Sequence, residues 1–160
     1  MRSSLVAWGP GLIAKKNHVD RASVFSAIDL VPTLLDLTGT QHPRGVTFDG
    51  ESLPQTLLGQ GGSRQAPIFF RRPPDRDSYY GNNDLPDLAM RKGKWKFLCE
   101  YDGTDPELYD LQADRGETNN IADEHPELVG QLTKSLIAWH HSMPKDKGAA
   151  LASPSKIKTK

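Results

Sequence analysis

The alternation in residues 88–99 constrains the fold more than any other feature of the chain. Trp95, Phe97 and Cys99 alternate with Lys94 and Lys96, and a Lys92-Gly93 turn joins them back to Leu88–Arg91. A period of two around a glycine turn predicts a β-hairpin with one buried face. Pro67–Phe70 reads as a further strand before the hairpin. After an Asp102-Gly103 turn, Glu107–Leu111 can add a third antiparallel strand. From His125 or Pro126 to about Ser142 the period changes to that of a helix, with Leu128, Leu132, Leu136 and Trp139 along one face and Pro126 and Glu127 in the first turn. That helix is expected to cover the apolar face of the hairpin, so the fold class is α+β.

Composition limits what surrounds this nucleus. Hydrophobic residues make up 36% of the 160, with 14 glycines and 12 prolines, which predicts a small core and long connections. Lysine plus arginine and aspartate plus glutamate each number 20, so no net field attracts nucleic acid, and nucleic-acid binding is not expected. The exception is the segment 144–160, whose five lysines face only Asp146 and which reads as a basic, disordered tail. A single cysteine, Cys99, excludes an internal disulfide and a zinc finger. No apolar stretch approaches the roughly 20 residues of a membrane span. The run after Met1-Arg2-Ser3-Ser4 is too short for a signal peptide.

That run, Leu5-Val6-Ala7-Trp8, closed by Gly9-Pro10-Gly11, predicts a strand buried on both faces. Such a strand needs parallel neighbours, yet no alternation of strand and helix follows, so it stands as an orphan of a larger sheet. Residues 26–39 predict a short buried helix. Ile28, Val31, Leu34, Leu35 and Leu37 form its apolar face, Asp29 is a possible cap, Pro32 lies in the first turn and Gly39 is the stop. Residues 40–66 are turn-rich, with one short helical candidate capped by Ser52 and running through Leu57 and Leu58 to Gly59.

The side chains offer little catalytic machinery. The five histidines, at 18, 42, 125, 140 and 141, form no His-x-x-x-His pair and read as surface or cap residues. Gly59-Gln60-Gly61-Gly62 lacks the lysine of a phosphate loop, and no Gly-x-Ser-x-Gly elbow occurs. Cys99 shares the apolar register of Trp95 and Phe97, which predicts a packed thiol rather than a nucleophile. The polar stretch 71–87 is long enough to suggest a working loop. Its Arg71, Arg72 and Arg76 could clamp an oxyanion bidentately, or solvate the loop and pair with Asp75 and Asp77.

Taken in order, these residues resemble the latter half of a type I sulfatase. The resemblance runs through Ser3-Ser4-Leu5-Val6-Ala7-Trp8-Gly9-Pro10-Gly11, then Ser26-Ala27-Ile28-Asp29-Leu30-Val31-Pro32-Thr33-Leu34-Leu35-Asp36-Leu37-Thr38-Gly39, then Phe48-Asp49-Gly50-Glu51-Ser52-Leu53. It continues in Ala89-Met90-Arg91-Lys92-Gly93-Lys94-Trp95-Lys96, in Glu107-Leu108-Tyr109-Asp110-Leu111, and in Asp114 to Asn120, where Arg115 replaces the family's usual proline. It implies a fold similar to alkaline phosphatase. Residues 1–66 would be the tail end of the large α/β domain and its connector, 67–143 a C-terminal subdomain, and 144–160 the tail.

The resemblance also implies a chemistry that this stretch does not carry. Family members hydrolyse sulfate esters with a formylglycine made from a Cys/Ser-x-Pro/Ala-x-Arg motif, beside a calcium ion. Cys99 is followed by Glu100-Tyr101-Asp102-Gly103, and Ser52-Leu53-Pro54-Gln55-Thr56 lacks the arginine. Neither catalytic nor metal-ligating residues are therefore expected here, and calcium and formylglycine are implied only for a complete family member. The expected substrate of the complete enzyme is a sulfate ester, with a glycan as a candidate carrier. Arg71, Arg72, Arg76, Asn82 and Asn83 are the candidate substrate contacts. The alternative expectation is a non-catalytic module that binds sulfated glycans. Relatives of this type are often exported.

Overall fold

The computed structural model describes residues 4–13, 17–72 and 85–144. The chain divides into two compact units, Met1–Pro67 and Ile68–Lys160.

The second unit is built on the predicted hairpin. Four strands, β1 (Ile68–Arg71), β2 (Leu88–Lys92), β3 (Trp95–Cys99) and β4 (Glu107–Asp110), pair antiparallel in sequence order. Lys92 pairs with Trp95, so the two-residue turn is Gly93-Lys94, one position later than the sequence suggests. Gly93 takes the positive φ of 57° that this tight reversal demands. The register places Leu88 opposite Cys99, Met90 opposite Phe97, and Phe97 opposite Leu108. All five side chains are buried on the same face.

A helix, α3 in chain order (Pro126–Ser142), closes that face with Leu132 and Leu136, while Leu128 and Trp139 pack at its margin. Phe69 of β1 stacks on Trp139 with ring centroids 5.0 Å apart. Burial of these side chains contributes roughly 1.5–3 kcal/mol each.

The loop after β4 is held by side-chain acceptors. Asp110 accepts from the Gln112 and Ala113 amides at 2.9 and 3.2 Å. Asp114 accepts from the Gly116, Thr118 and Asn119 amides at 3.1, 2.7 and 2.9 Å. Asn120 accepts from both Leu108 and Ala122 at 3.0 Å, and the Ile121 amide donates to the Leu108 carbonyl, which covers the outer edge of β4. These are the residues that carry the resemblance in this region, and each has a structural task.

In the first unit a 3₁₀ turn, Ala27–Asp29, leads into α1 (Leu30–Thr38). Gly39 ends the helix at φ 64°, with the Thr40 amide returning to the Leu35 carbonyl at 2.9 Å. The expectation of a buried apolar helix is corrected. The inward stripe is Asp29, Pro32 and Thr33, at spacings of three and one, whereas Ile28, Val31 and Leu34 are exposed. The physical reason is that the neighbouring segments 49–53 and 63–66 have little ladder of their own. The Glu51 and Leu53 amides donate to the Asp29 carboxylate and the Thr33 hydroxyl, at 2.8 and 2.9 Å, while those of Gln65 and Ala66 donate to the Glu51 carboxylate.

Two further expectations change. Leu5–Trp8 forms no strand, and Val6 and Trp8 are 87% and 86% exposed. A strand requires a ladder partner, and no described residue provides one there. Ser52 does not cap the short helix α2 (Pro54–Leu57). The cap position is Leu53, with Pro54 opening the helix, while the Ser52 hydroxyl bonds the Asp36 carboxylate. No helix among the described residues is long and apolar enough to cross a membrane.

Candidate functional site

The strand ends on either side of residues 73–84 carry Arg71, Arg72 and Asp87. Arg71 closes β1 and is half-buried. Arg72 follows it and is fastened to the far side of the connection. Its amide donates to the Asp87 carbonyl at 2.8 Å, and its guanidinium lies 3.3 Å from the Asp87 carboxylate. Arg72 and Asp87 are thus brought together. Tyr101, two residues beyond β3, donates its hydroxyl to the Arg72 carbonyl. Its ring lies 5.0 Å from that of His140, near the end of α3.

His140 corrects the expectation that the histidines are surface or cap residues. It is half-buried, and its Nδ1 is withdrawn from water with no hydrogen-bond partner among the described residues. Burial, followed by the Arg71 and His141 charges, holds its pKa below the usual histidine value, with Asp87 opposing. The other histidines differ. His18 and His141 are exposed. His42 lies 3.4 Å from Asp36, and His125 occupies the position before α3 with its ring 5.5 Å from Trp95.

Of the five candidate contacts, Arg71 and Arg72 are brought to this place. Arg76, Asn82 and Asn83, together with Asp75 and Asp77, lie outside the described residues. Arg72 finds its carboxylate in Asp87. Sequence reasoning missed Asp87, Tyr101 and His140 as members of the group, since their neighbourhood depends on pairing across β1, β2 and β3. A hint lay in Trp139-His140, where the helix period places His140 beside the apolar face.

Cys99 is fully buried, and burial pushes its thiol up to about 11, aided by Glu100, Asp102 and Asp87. A thiol so disposed is neither a nucleophile nor a metal ligand at neutral pH. Among the described residues no three of His, Cys, Asp and Glu converge to hold a cation. The donor set of the described residues therefore does not fit calcium. What this place offers is cationic and aromatic side chains, Arg71, Arg72, Tyr101 and His140.

An antiparallel sheet closed by one helix on its apolar face defines an α+β subdomain. The chain belongs to the sulfatase family: residues 1–142 match the family model for N-sulphoglucosamine sulphohydrolase, C-terminal. It is 35% identical over 136 residues to arylsulfatase K of Mus musculus, covering 82% of this chain and 24% of that protein. It is 31% identical over 137 residues to an N-acetylgalactosamine-6-O-sulfatase of Bacteroides thetaiotaomicron, covering 77% of this chain and 25% of the relative. A solved structure titled for the metabolism of multiple glycosaminoglycans by Bacteroides thetaiotaomicron superposes with a TM-score of 0.55 at 27% identity. It covers 74% of this chain and 25% of its own. The chain spans about a quarter of the length of the relatives it matches.

Proposed function

We propose that this chain serves as the C-terminal portion of a sulfuric ester hydrolase, supplying structural closure and a substrate-facing rim while the hydrolytic centre lies outside it. The observation that carries this is the match of residues 1–142 to a sulfatase C-terminal model, in a chain whose cysteine is buried with its thiol pushed up to about 11. Attack on sulfur needs an activated nucleophile, a cation against the sulfate oxygens and an acid for the leaving alcohol. Arg71 and Arg72 answer only the need for contact with an oxyanion. Calcium and a formylglycine would be supplied by other residues of a complete enzyme.

The substrate class we infer is a sulfated glycan, in keeping with relatives named for N-acetylgalactosamine-6-O-sulfate and hexuronate-2-O-sulfate chemistry. Residues 1–66 would then complete a large α/β domain. The exposure of Leu5, Val6 and Trp8, and of Ile28, Val31 and Leu34, supports that role, because apolar side chains at this density ordinarily meet another surface.

The test is hydrolysis of an aryl sulfate by the 160-residue chain with calcium present. No turnover is expected; activity that disappears on replacing one residue of the chain would overturn the proposal. A non-catalytic glycan-binding module is the second reading, favoured by the two successive arginines, Arg71 and Arg72, at the end of β1. Retention on heparin that survives deletion of 144–160 but is lost on replacing Arg71 and Arg72 would select it. Retention lost with the tail alone would mean general charge attraction.

A further inference from the structure

Arg72, the residue that follows β1, is fastened to Asp87 and Tyr101. The Arg72 amide bonds the Asp87 carbonyl at 2.8 Å, the Arg72 guanidinium faces the Asp87 carboxylate at 3.3 Å, and Tyr101 donates to the Arg72 carbonyl. The third tie comes from a side chain whose own position depends on α3, because the Tyr101 ring packs against His140 at 5.0 Å with the planes tilted by 34°. We propose that Tyr101 and His140 are positioning residues that form an acid-releasable clamp: with the imidazole neutral, Tyr101 is held on Arg72 and the Arg72–Asp87 base stays closed, and protonating His140 loosens it.

The geometry gives protonation of the ring a cost. Nδ1 is buried with no hydrogen-bond partner among the described residues, so a proton placed there finds no acceptor. A charge on the ring would also meet Arg71 from β1 and His141 from its own helix. From the segment leading into β2, Asp87 pulls the other way, as does the π face of Tyr101 beyond β3. Burial is the largest influence, and the ring's pKa is lowered in the folded chain.

The sign follows. A histidine whose pKa is depressed by folding contributes fully above its ordinary value, and that contribution is lost as pH falls through the depressed one. The clamp is therefore closed at neutral pH and released in weak acid. Release would set how firmly Arg72 is held to Asp87, and with it the end of β1. The clamp is a property of the folded chain alone, so it stands or falls separately from the sulfatase proposal.

The experiment is backbone amide exchange and histidine ring NMR on the full 160-residue chain. Protection at the Arg72 amide, corrected for intrinsic exchange, is compared at about pH 7.5 and about pH 5, a range over which ordinary carboxylates stay charged. The expected result is a several-fold fall at Arg72 that tracks the His140 ring shift, with the Phe97 amide in the core as reference. In His140→Gln the fall should vanish, and in His141→Gln it should persist. Tyr101→Phe keeps the ring but loses the donor, so it should lower protection at neutral pH and flatten the response. Equal protection at both pH values overturns the clamp, as does an undiminished fall in either His140→Gln or Tyr101→Phe. The two variants are independent, so a folding defect in one leaves the other decisive.

Discussion

Arg64 and Asp29 form an ion pair in which only 3% and 0% of the side chains reach water. The pair is the junction of the first unit. Asp29 also accepts the Ser26 and Glu51 amides, both at 2.8 Å, while Arg64 donates to the Asp49 and Ala66 carbonyls at 3.0 Å. Three segments distant in sequence, 26–29, 49–51 and 64–66, thus meet on two side chains. Removing one member of such a pair leaves an uncompensated buried charge, at a cost of about 3–5 kcal/mol. Arg64→Met is therefore expected to destabilise the first unit by that amount, read as lost exchange protection at the Glu51 amide. Unchanged protection would mean that the pair is dispensable.

Gly50 lies against the same junction. A Cβ built there would stand 1.9 Å from the Ile28 carbonyl oxygen, far inside contact distance, and the obstacle is backbone rather than a pliable side chain. Gly50→Ala should cost about 2 kcal/mol or more. Denaturant unfolding, or exchange at Glu51, would register it, whereas Gly130→Ala on the exposed side of α3, where nothing stands within 4 Å, should not destabilise the chain.

The Cys99 thiol, pushed up to about 11, gives a third prediction. At about pH 8 only about one molecule in a thousand carries a thiolate, and the group is also shielded. Labelling by a disulfide reagent should wait for unfolding, then proceed at the rate of a free thiol. Rapid stoichiometric labelling of the native chain would contradict the packed position of this residue.

Asp114 supplies a pH dependence with a definite sign. The Asn119 amide first, then those of Thr118 and Gly116 and the Thr118 hydroxyl, hold its carboxyl below the usual carboxylate range. A lowered carboxyl stabilises above its ordinary value and ceases to as pH falls through the lowered one. Exchange protection at Asn119 should therefore drop only below about pH 4. Asp114→Asn should start from weaker protection at neutral pH and change little on acidification.

Much of the second unit was legible in order, because its elements are specified locally. The period-two pattern of Trp95, Phe97 and Cys99 gives a strand whatever surrounds it, and the helix over 126–142 follows from Leu128, Leu132, Leu136 and Trp139. The hairpin turn was displaced by one residue because cross-strand pairing of Lys92 with Trp95, not local composition, chooses the register. In the first unit the apolar residues of α1 misled, since counting hydrophobic positions cannot show that Asp29 and Thr33 face inward.

By itself, then, the sequence determined the α+β class, the strand order along the chain and the family, since these rest on periods and motifs read within short windows. The tertiary structure alone decided that Asp29 pairs with Arg64, that Asp87 engages Arg72, and that His140 lies against Tyr101. Each of these joins residues 15 to 39 positions apart. Such partners are chosen when separate segments bury their polar groups together, and no local pattern encodes that choice.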